Sequence, residues 1–139
     1  MGVFPSPYFF STYAYFDARN STSVITVGED TWINNNFSVI ADSSSITIGR
    51  RCLIGVNVEI IDSDFHGIKL SERQTNDPTK ARAVTIGNDV FIGSNVKIMK
   101  GVKIGHGSVI ANGSIVTREI PENVIAGGNP AKVLKEIPV

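Results

Sequence analysis

Ile86, Ile92, Ile98, Ile104, Ile110 and Val116 recur at intervals of six, and that spacing limits what the chain can fold into. A helix repeats every 3.6 residues and a half-buried strand every two, so neither accounts for it. A short strand followed by a tight turn does. Four residues after five of these positions stand Val90, Val96, Val102, Ser108 and Ser114, all small or β-branched and suited to a crowded corner. Gly87, Gly93 and Gly105 directly follow an aliphatic position, where glycine is expected to supply unusual turn dihedrals. Three such sides close a triangular coil of about 18 residues, and coils stack at about 4.8 Å, each burying its neighbour's face.

The register also runs through Val27, Ile33 and Val39 and through Ile48, Ile54 and Ile60. The step from Val39 to Ile48 is nine, so three residues are inserted near Asp42-Ser43-Ser44. Cys52 and Val58 take small corner positions, which makes Cys52 a packed thiol rather than a nucleophile. Residues 62–83 break the period with a polar, charged segment too long for a corner, and insertions of this kind in repeat proteins map to functional loops on one face. After Val116, Asn129-Pro130 reads as an N-cap with proline in the first turn. Val133, Leu134 and Ile137 then form the stripe of a short helix capping the open end. The expectation is one domain over 1–139: an aromatic arm at 1–22, coils at 23–61 and 84–118, a loop at 62–83 and a cap at 119–139.

Thirteen basic residues balance thirteen acidic ones, which gives no electrostatic reason to expect nucleic acid. The first 20 residues are aromatic and broken by prolines. They lack the basic start and apolar middle of a signal peptide, and no stretch is long enough for a membrane span. A cytoplasmic protein is expected. The arm either covers the end of the fold or a subunit seam, or it lines an acceptor cleft.

Only two histidines are present. His106 follows Gly105 inside the repeat and is expected to be a solvated turn residue. His66 sits in the one long excursion, after Asp62-Ser63-Asp64-Phe65, beside carboxylates that could orient its ring. Imidazole can take a hydroxyl proton at neutral pH. In the run Asn34-Asn35-Asn36, Asn34 suits a corner, and one of the others could project toward a polyhydroxyl substrate. Asp42 is open to a turn role or a ligand role. Arg118, Lys132 and Lys135, near Gly127-Gly128, are either scattered surface cations or a phosphate-holding set.

The run Val-Thr-Ile-Gly-Asn-Asp-Val-Phe-Ile-Gly-Ser-Asn-Val (84–96), followed by Gly-Ser-Ile-Val-Thr-Arg-Glu-Ile-Pro-Glu-Asn-Val-Ile-Ala-Gly-Gly-Asn-Pro-Ala-Lys-Val (113–133), resembles the hexapeptide-repeat acyltransferases. Within them it is similar to sugar O-acetyltransferases of the maltose and galactoside type and to those that decorate surface polysaccharides. The resemblance implies an all-β, left-handed parallel β-helix, a homotrimer with active sites between subunits, and acetyl-CoA as co-substrate without a metal. It implies His66 as the catalytic base and Asn35 and Asp42 as acceptor-binding residues; Asp64, two residues before His66, is expected to bind the acceptor with them. Phe91, Ser94, Asn112, Thr117, Arg118, Lys132 and Lys135 would form the CoA channel, with the Ser94 amide as oxyanion donor. The arm and the Asp-Ser-Asp-Phe-His-Gly context of His66 depart from the galactoside type and lean toward a polysaccharide precursor as acceptor. Transfer to the amine of an amino sugar and a non-catalytic trimeric scaffold are the alternatives. Two histidines are too few for the three-histidine zinc site of a hydratase on the same fold.

Overall fold

In the computed structural model, which describes Gly2 and residues 4–139, the six-residue period is realised as a three-sided prism of parallel strands. The first face contains β1 (Tyr15–Ala18), β4 (Ser38–Ala41), β7 (Glu59–Ile61), β10 (Lys97–Ile98) and β13 (Ile115–Val116). The second contains β2 (Val24–Val27), β5 (Ser45–Ile48), β8 (Val84–Ile86) and β11 (Lys103–Ile104). The third contains β3 (Trp32–Ile33), β6 (Leu53–Ile54), β9 (Phe91–Ile92), β12 (Val109–Ile110), β14 (Val124–Gly128) and β15 (Ala131–Glu136). From β1 to β13 the chain visits the faces in strict rotation, so each strand there pairs with the one a full coil away; Ile120 continues the second face by a single bridge to Ile104 before β14.

The aliphatic repeat forms one inward ladder per face. Val39, Ile60, Ile98 and Val116 are in register on the first, Ile48, Ile86 and Ile104 on the second, and Ile33, Ile54, Ile92 and Ile110 on the third. These side chains are buried, and each stabilises the prism by roughly 1.5–3 kcal/mol relative to exposure. The small corner residues Val90, Val96, Val102, Ser108 and Ser114 are buried as well, and the two serines bond back to the backbone at Pro121 and Ala111.

The glycines of the repeat serve a different purpose from the one expected. Left-handed dihedrals at the corners belong to Asp30, Arg51, Asp89 and Gly107 on one prism edge and to Asn36, Asn57, Asn95 and Gly113 on another, not to Gly87, Gly93 or Gly105. Asn34 opens its corner as expected, its Oδ1 accepting the Asn35 amide at 2.8 Å, and Asn36, Asn57 and Asn95 are joined in a side-chain ladder. Gly49, Gly87 and Gly93 instead leave room for a side chain from the next coil: a Cβ there would collide with Asn88, His106 or Asn112. Each incoming group accepts the adjoining amide, Arg50 N to Asn88 Oδ1 at 2.9 Å, Asn88 N to His106 Nδ1 at 2.8 Å and Ser94 N to Asn112 Oδ1 at 2.8 Å. His106 is therefore an exposed residue with a ring nitrogen engaged, not simply a solvated one.

Two boundaries also differ. Strand β1 lies within the expected arm and pairs in register with β4, so the coils begin at Tyr15. Met1 and Val3 of that arm lie outside the described residues. At the other end there is no capping helix: β15 returns antiparallel to β14, with Ala126 opposite Val133 and Gly127 opposite Lys132. A lone helix of two turns is marginal, whereas the last strand of the third face offers a row of unpaired backbone groups that β15 satisfies. No helix among the described residues is long and apolar enough to cross a membrane.

Candidate active site

Every insertion in the repeat emerges at the same prism edge, between the first and second faces: residues 19–23 after β1, 42–44 after β4 and 62–83 after β7. His66 stands on this edge, exposed, in a loop tied to four coils. Phe65 N bonds Ser63 Oγ at 2.9 Å. The Phe65 ring lies under the Arg19 guanidinium at 4.9 Å, and Arg19 is itself held by Asp17 at 2.7 Å. That guanidinium holds the Asp17 carboxyl below the usual carboxylate range. Phe65 has φ 62°, a conformation costing a bulky residue about 1–2 kcal/mol, and this turn aims the following histidine outward.

The carboxylates beside His66 do not orient its ring. Asp62 is fully buried and accepts the amides of Asp42, Ser43 and Ser44 at 2.7, 3.2 and 2.8 Å. Asp64 pairs with Lys100 at 2.6 Å, clamping the loop to the coil above. The ring's partner is the carbonyl of Arg73, 3.0 Å from Nδ1. A carbonyl only accepts, so Nδ1 carries the hydrogen and Nε2 presents its lone pair. His106 holds the opposite tautomer, because its Nδ1 accepts from Asn88.

Arg73 ties the knot that fixes this carbonyl. Its guanidinium donates to the carbonyls of Gly67 (3.1 Å) and Ile68 (2.8 Å), and Gly67 N bonds Thr75 O at 3.0 Å. A side chain at Gly67 would overlap Glu72, which is why glycine follows the histidine. Beside the ring is a hollow of about 180 Å³, lined among others by Phe65, Glu72, Asn76 and Lys100. Asn76 donates to the carboxylate of buried Asp42 at 3.0 Å, which brings Asp42 to the same edge. Sequence reasoning missed Arg73, Asn76 and Lys100; their only signal was membership of the period-breaking loop or its neighbouring corner.

The other expected site residues divide between two edges. Thr117 and Arg118 follow β13 on the His66 edge. Asn35, Ser94 and Asn112 lie on the edge between the third and first faces, Phe91 projects from β9, and Lys132 and Lys135 lie on β15. The Ser94 amide is committed to Asn112 Oδ1, so it is not an open oxyanion donor. Asn35 is buried beneath the arm, and its Oδ1 has no partner among the described residues.

Comparison with known proteins agrees with this architecture. The bacterial transferase hexapeptide model (six repeats) matches residues 83–118, and the hexapeptide repeat of succinyl-transferase matches residues 45–73. A hexapeptide-repeat acetyltransferase of Vibrio cholerae, solved in complex with acetyl-CoA, aligns over 91% of this chain and 71% of its own at 30% identity and a TM-score of 0.71. This chain belongs to the hexapeptide-repeat acetyltransferases. Its fold is their left-handed parallel β-helix. The galactoside O-acetyltransferase of Escherichia coli K12 is 42% identical over 115 residues, covering 83% of this chain and 55% of its own length. The polysialic acid O-acetyltransferase of Escherichia coli O1:K1 is 42% identical over 81% of this chain and 36% of its own length. The chain thus spans little more than half of these curated relatives, or less.

Proposed function

We propose that the protein transfers the acetyl group of acetyl-CoA to a sugar hydroxyl, with His66 as general base and a surface-polysaccharide precursor as acceptor. The observation that carries this reading is the Arg73 carbonyl on His66 Nδ1, which leaves Nε2 as the proton acceptor. The hydroxyl oxygen attacks the thioester carbonyl while Nε2 takes its proton. The tetrahedral intermediate collapses with cleavage of the C–S bond, and the imidazolium protonates the departing thiolate, giving the sugar ester and CoASH.

The active unit in this proposal is a homotrimer. The division of site residues between two prism edges supports it, because no single subunit brings both edges to one ligand. The His66 edge, with Asp42, Asp64, Thr117 and Arg118, faces the neighbour's Asn35, Phe91, Ser94 and Asn112 across a cleft, and Lys132 and Lys135 reach the CoA phosphates. Since the Ser94 amide is occupied, the Ser94 hydroxyl is the oxyanion donor. A cytoplasmic location fits a co-substrate of that compartment.

The test is thermal unfolding with and without millimolar acetyl-CoA, followed by CoASH release with sugars and amino sugars. A ligand at 100 times its dissociation constant adds about 2.7 kcal/mol of stability. The expected result is a clear rise in melting temperature and turnover with hydroxyl acceptors that is lost in His66→Ala while the rise is kept. No rise at any concentration would leave a trimeric scaffold as the better account.

A further inference from the structure

The first coil reaches up to the turn that carries His66. Tyr15, Asp17 and Arg19 follow one another at a spacing of two along β1 and just past its end, so their side chains share one side of the strand. Tyr15 Oη donates to Asp17 Oδ2 at 3.0 Å, Arg19 Nε donates to the same oxygen at 2.7 Å, and the Arg19 amide donates to Ala41 O at 3.0 Å. Fixed in this way, the guanidinium crosses the intervening coil and lies against Phe65, with Cζ 4.9 Å from the ring centroid. We propose that Arg19 is a positioning residue for His66: stacked on Phe65 and fixed by Asp17, it holds the left-handed turn that sets the imidazole beside the hollow. The proposal deepens the acetyl-transfer reading and rests on it for the role of His66, though not for the geometry.

Two observations carry it. Phe65 has φ 62°, a conformation that glycine takes freely and a bulky residue does not. The chain nonetheless places a phenyl ring there, half-buried, and that ring is what Arg19 grips. A guanidinium within about 6 Å of an aromatic centroid is attracted by the ring's electron-rich face, and this attraction offsets part of the strain.

The same stretch of chain also braces the other half of the edge. Asn20 Nδ2 and Ser23 Oγ both donate to the carbonyl of Asp42. Residues 19–23 therefore fasten the two turns that present His66 and Asp42, one through a ring and the other through a carbonyl. Arg73 holds the imidazole at Nδ1 from within the loop, and Arg19 holds the preceding residue from outside it. An imidazole gripped from both sides has little freedom left, which is what a base with one productive direction requires.

The experiment compares wild type with Arg19→Ala, Arg19→Lys, Phe65→Gly and the variant combining Arg19→Ala with Phe65→Gly. NMR of the imidazole nitrogens is the first readout, because the chain has two histidines of opposite tautomer: His66 carries its hydrogen on Nδ1, whereas His106 accepts there. Wild type is expected to give a sharp Nδ1–H signal from His66 that broadens or vanishes in Arg19→Ala, while the His106 signals stay as they were. CoASH release from acetyl-CoA is then followed with the best acceptor among maltose, methyl β-galactoside and water. In Arg19→Ala its kcat should fall about tenfold or more, with KM for acetyl-CoA unchanged. Arg19→Lys keeps the charge without the planar fork and should recover part of the loss. Phe65→Gly relieves the strained residue, so a merely structural role predicts a protein no worse than wild type. The positioning role predicts the losses of Arg19→Ala at an undiminished melting temperature, and no further loss in the combined variant. Unchanged His66 signals in Arg19→Ala, additive losses in the combined variant, or a melting temperature that falls in step with activity would each overturn the proposal. A protein that shows the NMR changes yet neither binds acetyl-CoA nor releases CoASH would instead sink the transfer reading and leave the positioning in place.

Discussion

Asn112 Oδ1 accepts the amide hydrogen of Ser94 at 2.8 Å across one coil, in the space that Gly93 leaves by having no side chain. A donor already paired does not stabilise a developing oxyanion, and the Ser94 hydroxyl takes that role in the mechanism proposed above. Ser94→Ala is expected to lower kcat by about 10²–10³, the usual cost of losing one such donor, with the acetyl-CoA thermal shift unchanged. Asn112→Ala is expected to keep kcat within about threefold at saturating acetyl-CoA. A large rise in Asn112→Ala together with a silent Ser94→Ala would return the role to the amide.

Arg73 positions His66 through its carbonyl and holds that carbonyl through its own guanidinium, which is bonded to Gly67 and Ile68. Arg73→Ala leaves the backbone acceptor in the chain but releases the knot around it. Steady-state kinetics should show kcat falling by about tenfold or more, with KM for acetyl-CoA unchanged and a melting temperature close to wild type, since the loop is exposed. Gly67→Ala, whose new methyl would meet Glu72, should act in the same direction. A matching fall in melting temperature and activity for both variants would reduce Arg73 to a structural residue.

The inward ladders were legible because the pattern that reports them, one aliphatic residue in six, is the pattern that burial enforces at Ile86, Ile92, Ile98, Ile104 and Ile110. The loop at 62–83 was legible as the interruption of that pattern. What was not legible depends on register between coils rather than along the chain. Glycine after Ile48, Ile86 and Ile92 looks like turn chemistry in sequence, and only stacking shows that it makes room for Asn88, His106 or Asn112. The Asp62 carboxylate, near His66 in sequence, bonds to residues 42–44 of the preceding coil, while the group that orients the ring is a backbone carbonyl, which no side-chain pattern records. The C-terminal segment carried helix signals at Asn129-Pro130 that lost to an open sheet edge.

Asp62 provides a stability test. Its carboxylate accepts three backbone amides of the Asp42 turn with no exposure to water. Asp62→Asn replaces one acceptor oxygen by an NH₂ group facing N–H donors. Hydrogen bonds to a charged group contribute about 1.5–3 kcal/mol, and an unmet buried donor adds a similar cost. Calorimetry should show a melting temperature lower by several degrees. Acceptor KM should rise through displacement of Asp42, and KM for acetyl-CoA should stay the same. A variant that melts like wild type would mean the turn at 42–44 holds itself.

Cys52 gives a prediction in pH. The residue is fully buried, with Sγ 3.2 Å from the Gly87 carbonyl, and burial pushes its thiol pKa up, against smaller opposing effects of hydrogen bonds from Val90 and Thr31. A thiol more acidic in the unfolded chain than in the folded one favours unfolding once the pH passes the unfolded value, about 8.5. Its contribution is therefore complete below that pH and declines as the pH rises toward the folded value. Melting temperatures of wild type and Cys52→Ala measured from neutral to alkaline pH should converge as the pH rises, wild type losing more. Iodoacetamide should label the thiol only after unfolding. Rapid labelling of the native protein would show that the corner opens and that the packing described for this coil is incomplete.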